Sequence, residues 1–168
     1  VMGESALWTG VVLMVATLIA SITTHYAGKM VDKQGARGIG IVGIAISALS
    51  TLMLAWCLYQ PTLWLLMLIM SMRGVGVGLA YLPTTTVGFS SLPKDAVTEG
   101  AALNNISRRI ISTIFITLST LYIGSRSAQL LAAGSSDGMA SAIQEILVVI
   151  AVILLFTIPS ACKLPRSP

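Results

Sequence analysis

The sequence predicts an all-α integral membrane protein with five transmembrane helices, and three observations carry that prediction. Five apolar stretches are each long enough to cross a bilayer, only 10% of the 168 residues are charged, and the basic residues collect in alternate links between the stretches. A hydrocarbon core of roughly 30 Å takes about 20 helical residues at about 1.5 Å each. A soluble domain carries roughly 25% charged residues because its exterior must be wet. Here hydrophobic residues reach 55% and the mean hydropathy is +0.90. The solvent for most of this surface is lipid.

The whole chain, 1–168, reads as one membrane domain. The first span, 5–28, is free of charge from Ser5 to Gly28, and the second covers 38–58. Tyr59-Gln60-Pro61-Thr62 reads as a tight turn, with Pro61 suited to the first turn of the third span, 61–90. Only Arg73 interrupts that span. Ser91–Asp95 reads as a cap and a short helix, with Asp95 and Glu99 near its positive end and Gly100 separating it from the fourth span, 101–125. The Gly-, Ser- and Ala-rich segment 132–141 reads as a flexible external loop before the fifth span, 142–162, whose charge-free part runs from Ile146 to Cys162.

Five crossings sort the basic links by side. Lys29, Lys33, Arg37, Lys94, Lys163 and Arg166 fall on one side, and Arg126 alone on the other. The positive-inside rule then places the amino terminus outside and the carboxyl terminus in the cytoplasm, as a multi-pass protein of the cell (inner or plasma) membrane. The net charge of +4 is accordingly a topology signal, and nucleic acid is not an expected partner. Cys57 and Cys162 fall on opposite sides, so they read as small apolar residues and not as a disulfide.

The polar positions inside this frame carry the information. Gly28-Lys-Met-Val-Asp-Lys-Gln-Gly-Ala-Arg37 reads G-x-x-x-D-K-x-G-x-R in the first basic link. Its glycines, Gly28 and Gly35, permit a sharp reversal, and Asp32 has Lys33, Arg37 and a helix amino terminus as partners. Arg73 lies near the bilayer midplane, where an arginine costs about 2.5–3.5 kcal/mol on insertion scales. Two roles fit it: a structural cation bonding backbone carbonyls, or a charge lining a substrate path. Gly74 and Gly78 form a G-x-x-x-G pair that lets a neighbouring helix approach, and Pro83 would kink the same helix. The fourth span opens with Asn104, Asn105, Arg108 and Arg109; Asn105 and Arg108 share a face, and the adjacent arginines point about 100° apart. One arginine faces protein and the other snorkels to headgroups, unless both simply anchor the topology. His25 reads as interfacial. Glu4, Asp32, Asp95, Glu99, Asp137 and Glu145 all fall in links or at span ends, so no proton-carrying acid is expected deep in the membrane. No catalytic constellation, metal cluster or phosphate loop is visible, which excludes an enzyme; no cofactor is implied.

The basic link resembles the signature loop of the major facilitator superfamily, found between helices two and three and again between eight and nine. Leu82-Pro-Thr-Thr-Thr, Ser90-Ser-Leu-Pro93 and Ala102-Leu-Asn-Asn-Ile-Ser-Arg108 narrow the resemblance to the EmrB/QacA-type drug:proton antiporters, the fourteen-span branch. Gly28, Asp32, Gly35 and Arg37 match the signature; Arg73, Pro83, Pro93, Asn105 and Arg108 match the later pattern. Ile111, Ser112 and Phe115 depart from the small residues that the family favours there. The resemblance implies an incomplete carboxyl-terminal half of that fold, corresponding to its last five helices. It implies that Asp32, with Lys33 and Arg37, pins the cytoplasmic end of the bundle in one transport state. It also implies a proton gradient as energy source and small lipophilic, often cationic, substrates. The amino-terminal half would be a necessary partner, and this portion alone would be inactive. A carrier for sugars, metabolites or siderophores, or a truncated non-transporting membrane partner, are the alternatives.

Overall fold

A computed structural model describes residues 6–58, 62–90, 93–134 and 137–161. It contains five long helices: α1 (Ala6–Gln34), α2 (Ala36–Cys57), α3 (Leu63–Ser90), α4 (Val97–Ala132) and α5 (Gly138–Ala161). A single 3-10 turn, Lys94–Ala96, leads into α4. Among the described residues there is no strand, and all five helices are long and apolar enough to cross a membrane. In hydrocarbon every backbone N–H and C=O must be paired within the segment, and an α-helix does this without a partner.

The helices pack in the spatial order α1–α3–α2–α5–α4. Glycine puts α3 between its two neighbours. Each helical residue turns about 100°, so Gly74 and Gly78 share one face while Gly76 lies on the opposite one. A Cβ on Gly74 would stand 2.5 Å from the Ala16 carbonyl oxygen, and one on Gly78 would stand 2.7 Å from that of Ala20. On the other face, a Cβ on Gly76 would lie 2.6 Å from Ser47 Oγ, and one on Gly43 would lie 2.5 Å from the Ala80 backbone nitrogen. Backbone therefore meets backbone on both sides. Thr24 Oγ1 adds a weak cross-helix bond, donating to Ala20 O at 2.7 Å and toward Gly78 O at 3.4 Å. The rising pairs 16–74 and 20–78 make α1 and α3 parallel; α2 runs antiparallel to α3.

The fourth helix is different. No residue of α4 is buried, and its main contact is with α5. Its last turns are tied there by Arg126, whose Nε and Nη2 donate to the two Glu145 carboxylate oxygens at 3.1 Å each, and by Tyr122, whose hydroxyl donates to Glu145 Oε2 at 2.7 Å.

The bilayer limits are written on the surface. Trp8, Trp56 and Trp64 all sit at one end of the bundle, and Trp56 and Trp64 are each 80% exposed. Tyr26, with Lys29 Nζ 5.9 Å from its ring centre, marks the other end. Trp8 and Tyr26 are separated by about 27 Å of helix at about 1.5 Å per residue, matching an aromatic belt at each headgroup layer. Exposed Leu13, Met14, Leu18 and Ile22 fill the lipid face between them.

Several boundaries differ from those the sequence predicts. The basic link is no loop: α1 stays helical to Gln34, and only Gly35 separates it from α2. Gly35 has φ 81° and ψ 157°, a region open essentially to glycine, so one residue makes the whole reversal. Gly100 is helical and separates nothing, because α4 begins at Val97. Arg126 and Ser141, expected in an external loop, lie inside α4 and α5, and Glu145, expected at a span end, lies in the early turns of α5 and pairs with Arg126. Tyr59–Pro61, the expected turn, and Cys162 lie outside the described residues.

Gly74→Leu or Gly43→Leu should force α3 off its neighbours at a cost of about 1–3 kcal/mol, as for other overpacked sites. Lower thermal stability in the complete protein would show it. Gly10→Ala and Gly124→Ala, where an added Cβ meets nothing within 4 Å, should leave stability unchanged.

Candidate functional site

Because α4 leans on α5 and hardly on α3, a cleft of about 800 Å³ opens between α3 and α4, floored by α2 and α5. Each wall is one helical stripe. Ile44, Ser47 and Thr51 come from α2; Arg73, Val77, Ala80 and Tyr81 from α3; Leu103, Asn104, Ser107 and Arg108 from α4; Ile150 and Leu154 from α5. The surface is largely apolar, with a few convergent polar groups.

Arg73 is half-buried in the cleft wall. It lies nine residues beyond Trp64, about 14 Å along the axis and so near the midplane of a roughly 30 Å core. Its Nη1 points to Thr51 Oγ1 at 3.5 Å, the outer limit for a hydrogen bond. Thr51 spends its own proton on Ser47 O at 2.7 Å, which leaves its lone pairs to Arg73. Ser47 Oγ is buried without a hydrogen-bond partner.

Arg108 marks the basic end of the same cleft. Its Nη1 donates to the Tyr81 hydroxyl at 3.0 Å, and its guanidinium carbon lies 4.8 Å from the Tyr81 ring centre. Tyr81 is eight residues past Arg73, about 12 Å along α3, so Arg108 meets α3 nearer the basic end than Arg73 does. Arg108 is exposed, as is Arg109 beside it, which takes no part in the cleft.

The sequence-derived candidates separate on the structure. Arg73 and Arg108 line one cleft; Asn105 is exposed and outside it, while its neighbour Asn104 lines it. Gly74 and Gly78 face α1, away from the cleft. Gly28, Lys33, Gly35 and Arg37 stand at the basic end, Gly35 buried and Lys33 exposed, with Val31, Ala36 and Ile39 packed against Leu79 of α3. The Asp32 and Pro83 side chains lie outside the described residues, although both positions are helical. Sequence reasoning missed Ser47, Thr51, Tyr81 and Ser107. A signal existed: 100, 103, 104, 107 and 108 follow the three–four spacing of a single helix face.

Five helices long and apolar enough to cross a membrane, with a largely apolar cleft between them that carries a few polar groups, define a multi-pass membrane protein. Residues 1–117 match the Major Facilitator Superfamily model, and the chain belongs to that family. It is similar to the "Uncharacterized MFS-type transporter YhcA" of Bacillus subtilis (strain 168), 29% identical over 118 residues, covering 70% of this chain and 22% of the relative. It is also similar to the "Uncharacterized MFS-type transporter YcnB" of the same organism, 26% identical over 165 residues, covering 95% of this chain and 34% of the relative. The chain thus spans about a fifth to a third of the curated relatives it matches. No solved structure matches it significantly.

Gly35→Ala should cost about 1–3 kcal/mol through backbone strain alone, seen as a lower melting temperature of the complete protein. Glu145→Gln should speed amide exchange in the Tyr122–Ala132 end of α4 severalfold without changing α3. Unaltered exchange there would mean that apolar packing holds α4 by itself.

Proposed function

We propose that this chain is the greater part of the carboxyl-terminal half of a carrier of the EmrB/QacA type, whose complete form exports small lipophilic compounds in exchange for protons. The observation that carries the proposal is the cleft: its volume of about 800 Å³ lies within the roughly 300–1,000 Å³ of small-molecule sites. An arginine at the midplane of its wall supports a substrate path, since charge at that depth is kept where it faces a cavity. Superfamily carriers rock two halves around such a midplane site. A cleft open along one side needs a second half to close it, so this portion alone does not transport.

The orientation proposed is amino terminus outside and carboxyl terminus cytoplasmic, with the Gly28–Arg37 segment at the cytoplasmic end. There the single-residue turn at Gly35 couples α1 rigidly to α2, and Asp32, Lys33 and Arg37 would latch that end to the rest of the carrier. Residues Ser47, Thr51, Asn104 and Ser107 give the cleft hydrogen-bonding capacity. That observation favours a second reading, a carrier for a polar metabolite.

In the complete carrier, Arg73→Ala at normal membrane level should lower export of at least one dye at least tenfold in a panel spanning positive, neutral and negative charge. A protonophore should abolish export by the unmodified carrier. Normal export by Arg73→Ala would remove the residue from the path, and export surviving the protonophore would remove the proton coupling. Reagents labelling Lys29–Arg37 should react only after the membrane is permeabilised.

A further inference from the structure

We infer that the cleft is a seat for an amphipathic organic anion, with Arg108 at its mouth and Arg73 at its inner end. This deepens the proposed function and rests on that reading of the cleft as the substrate path. Its described lining contains two arginines and no acidic residue. The ion pair of α4 joins Arg126 to Glu145, at the other end of the helix. Neither Arg73 nor Arg108 therefore has a carboxylate partner among the described residues.

What they have is weaker. Arg73 reaches one hydroxyl at 3.5 Å, and Arg108 leans on a neutral phenol ring and its hydroxyl. Five N–H donors on each guanidinium cannot be met by one oxygen. The half-buried Arg73 charge thus has no carboxylate among the described residues to balance it in an apolar-walled space, where the attraction for an opposite charge is several-fold larger than in bulk water. A guanidinium presents a planar fork that matches a carboxylate, sulfonate or phosphate in two parallel bonds. Val77 lies between Arg73 and Tyr81 on α3, and Leu103 and Ile150 add to the apolar lining, which suits a ligand with a hydrocarbon body and one anionic end. A lipophilic cation, the substrate type implied by the family resemblance, would meet like charge at both positions.

The two arginines divide the work by position. Arg108, exposed at the basic end, draws the anion from the headgroup layer, an effect on association that salt screens. Arg73, farther from the basic end along α3, holds the anionic end once water is excluded, an effect on dissociation.

The test uses the complete carrier in phosphatidylcholine vesicles and two fluorescent naphthalene probes with the same apolar body, one ending in a sulfonate and the other in a trimethylammonium group. Saturable binding should favour the sulfonate at least tenfold. Arg73→Gln should raise its dissociation rate at least tenfold, with Arg73→Lys falling between. Arg108→Gln should slow association and flatten its salt dependence. The preference of the unmodified carrier decides the matter even where a variant folds poorly. Adding phosphatidylglycerol separates the two sources of such an anion: displacement of the sulfonate assigns the seat to a lipid headgroup, and undiminished binding assigns it to a water-borne solute. Equal or tighter binding of the trimethylammonium probe overturns the inference while leaving the transport reading intact. If neither arginine variant alters any probe, the cleft itself is not the path.

Discussion

Backbone contact along α3 is the constraint on which the rest of the structure depends. In lipid, helices gain nothing from burying apolar side chains against each other, since the solvent is as apolar as they are. Association must come from close van der Waals contact and from the few polar groups that can meet across helices. Gly74 and Gly78 on one face, and Gly76 opposite Gly43 on the other, bring three helices to the separation where main chains touch. With α3 clamped between α1 and α2, the stripe carrying Arg73, Val77 and Tyr81 becomes a wall of the cleft, with Arg73 turned toward Thr51 of α2.

The remaining helices complete that wall without closing it. A polar clasp at one end ties α4 to α5, where Glu145 accepts from both Tyr122 and Arg126. At the other end α4 meets α3 through Arg108 and Tyr81. A long helix held at its two ends by side chains, with no residue buried along its length, is suited to movement.

Electrostatics gives the cleft its character. Arg73 at the midplane is the most expensive placement in the chain, and the structure offers it a threonine hydroxyl and no acid among the described residues. That imbalance has a local use if the missing charge arrives with a ligand. The basic end of the bundle, with Lys29, Lys33, Arg37 and Arg108, adds a field of the same sign. Such a site would be poorly suited to a cation unless another part of the carrier supplied the acid.

Much of this was legible in the residues. Hydrophobic length and the scarcity of charge determined the membrane class, because an unpaired backbone cannot survive in hydrocarbon and only long apolar helices satisfy it alone. The depth of Arg73, the close-packing glycines and the reversal at Gly35 followed from composition and spacing. Helix ends did not: polar residues at a lipid–water boundary continue a helix as readily as they end one, so Lys29–Gln34 and Arg126 look like links in the sequence and are helical in the structure. Only the tertiary structure decided which residues share the cleft. Choosing Asn104 over Asn105, adding Ser47 and Thr51 beside Arg73, and pairing Glu145 with Arg126 each depend on how a helix is rotated against its neighbours. Rotation is set by contacts between segments far apart in the chain, and no local pattern records it.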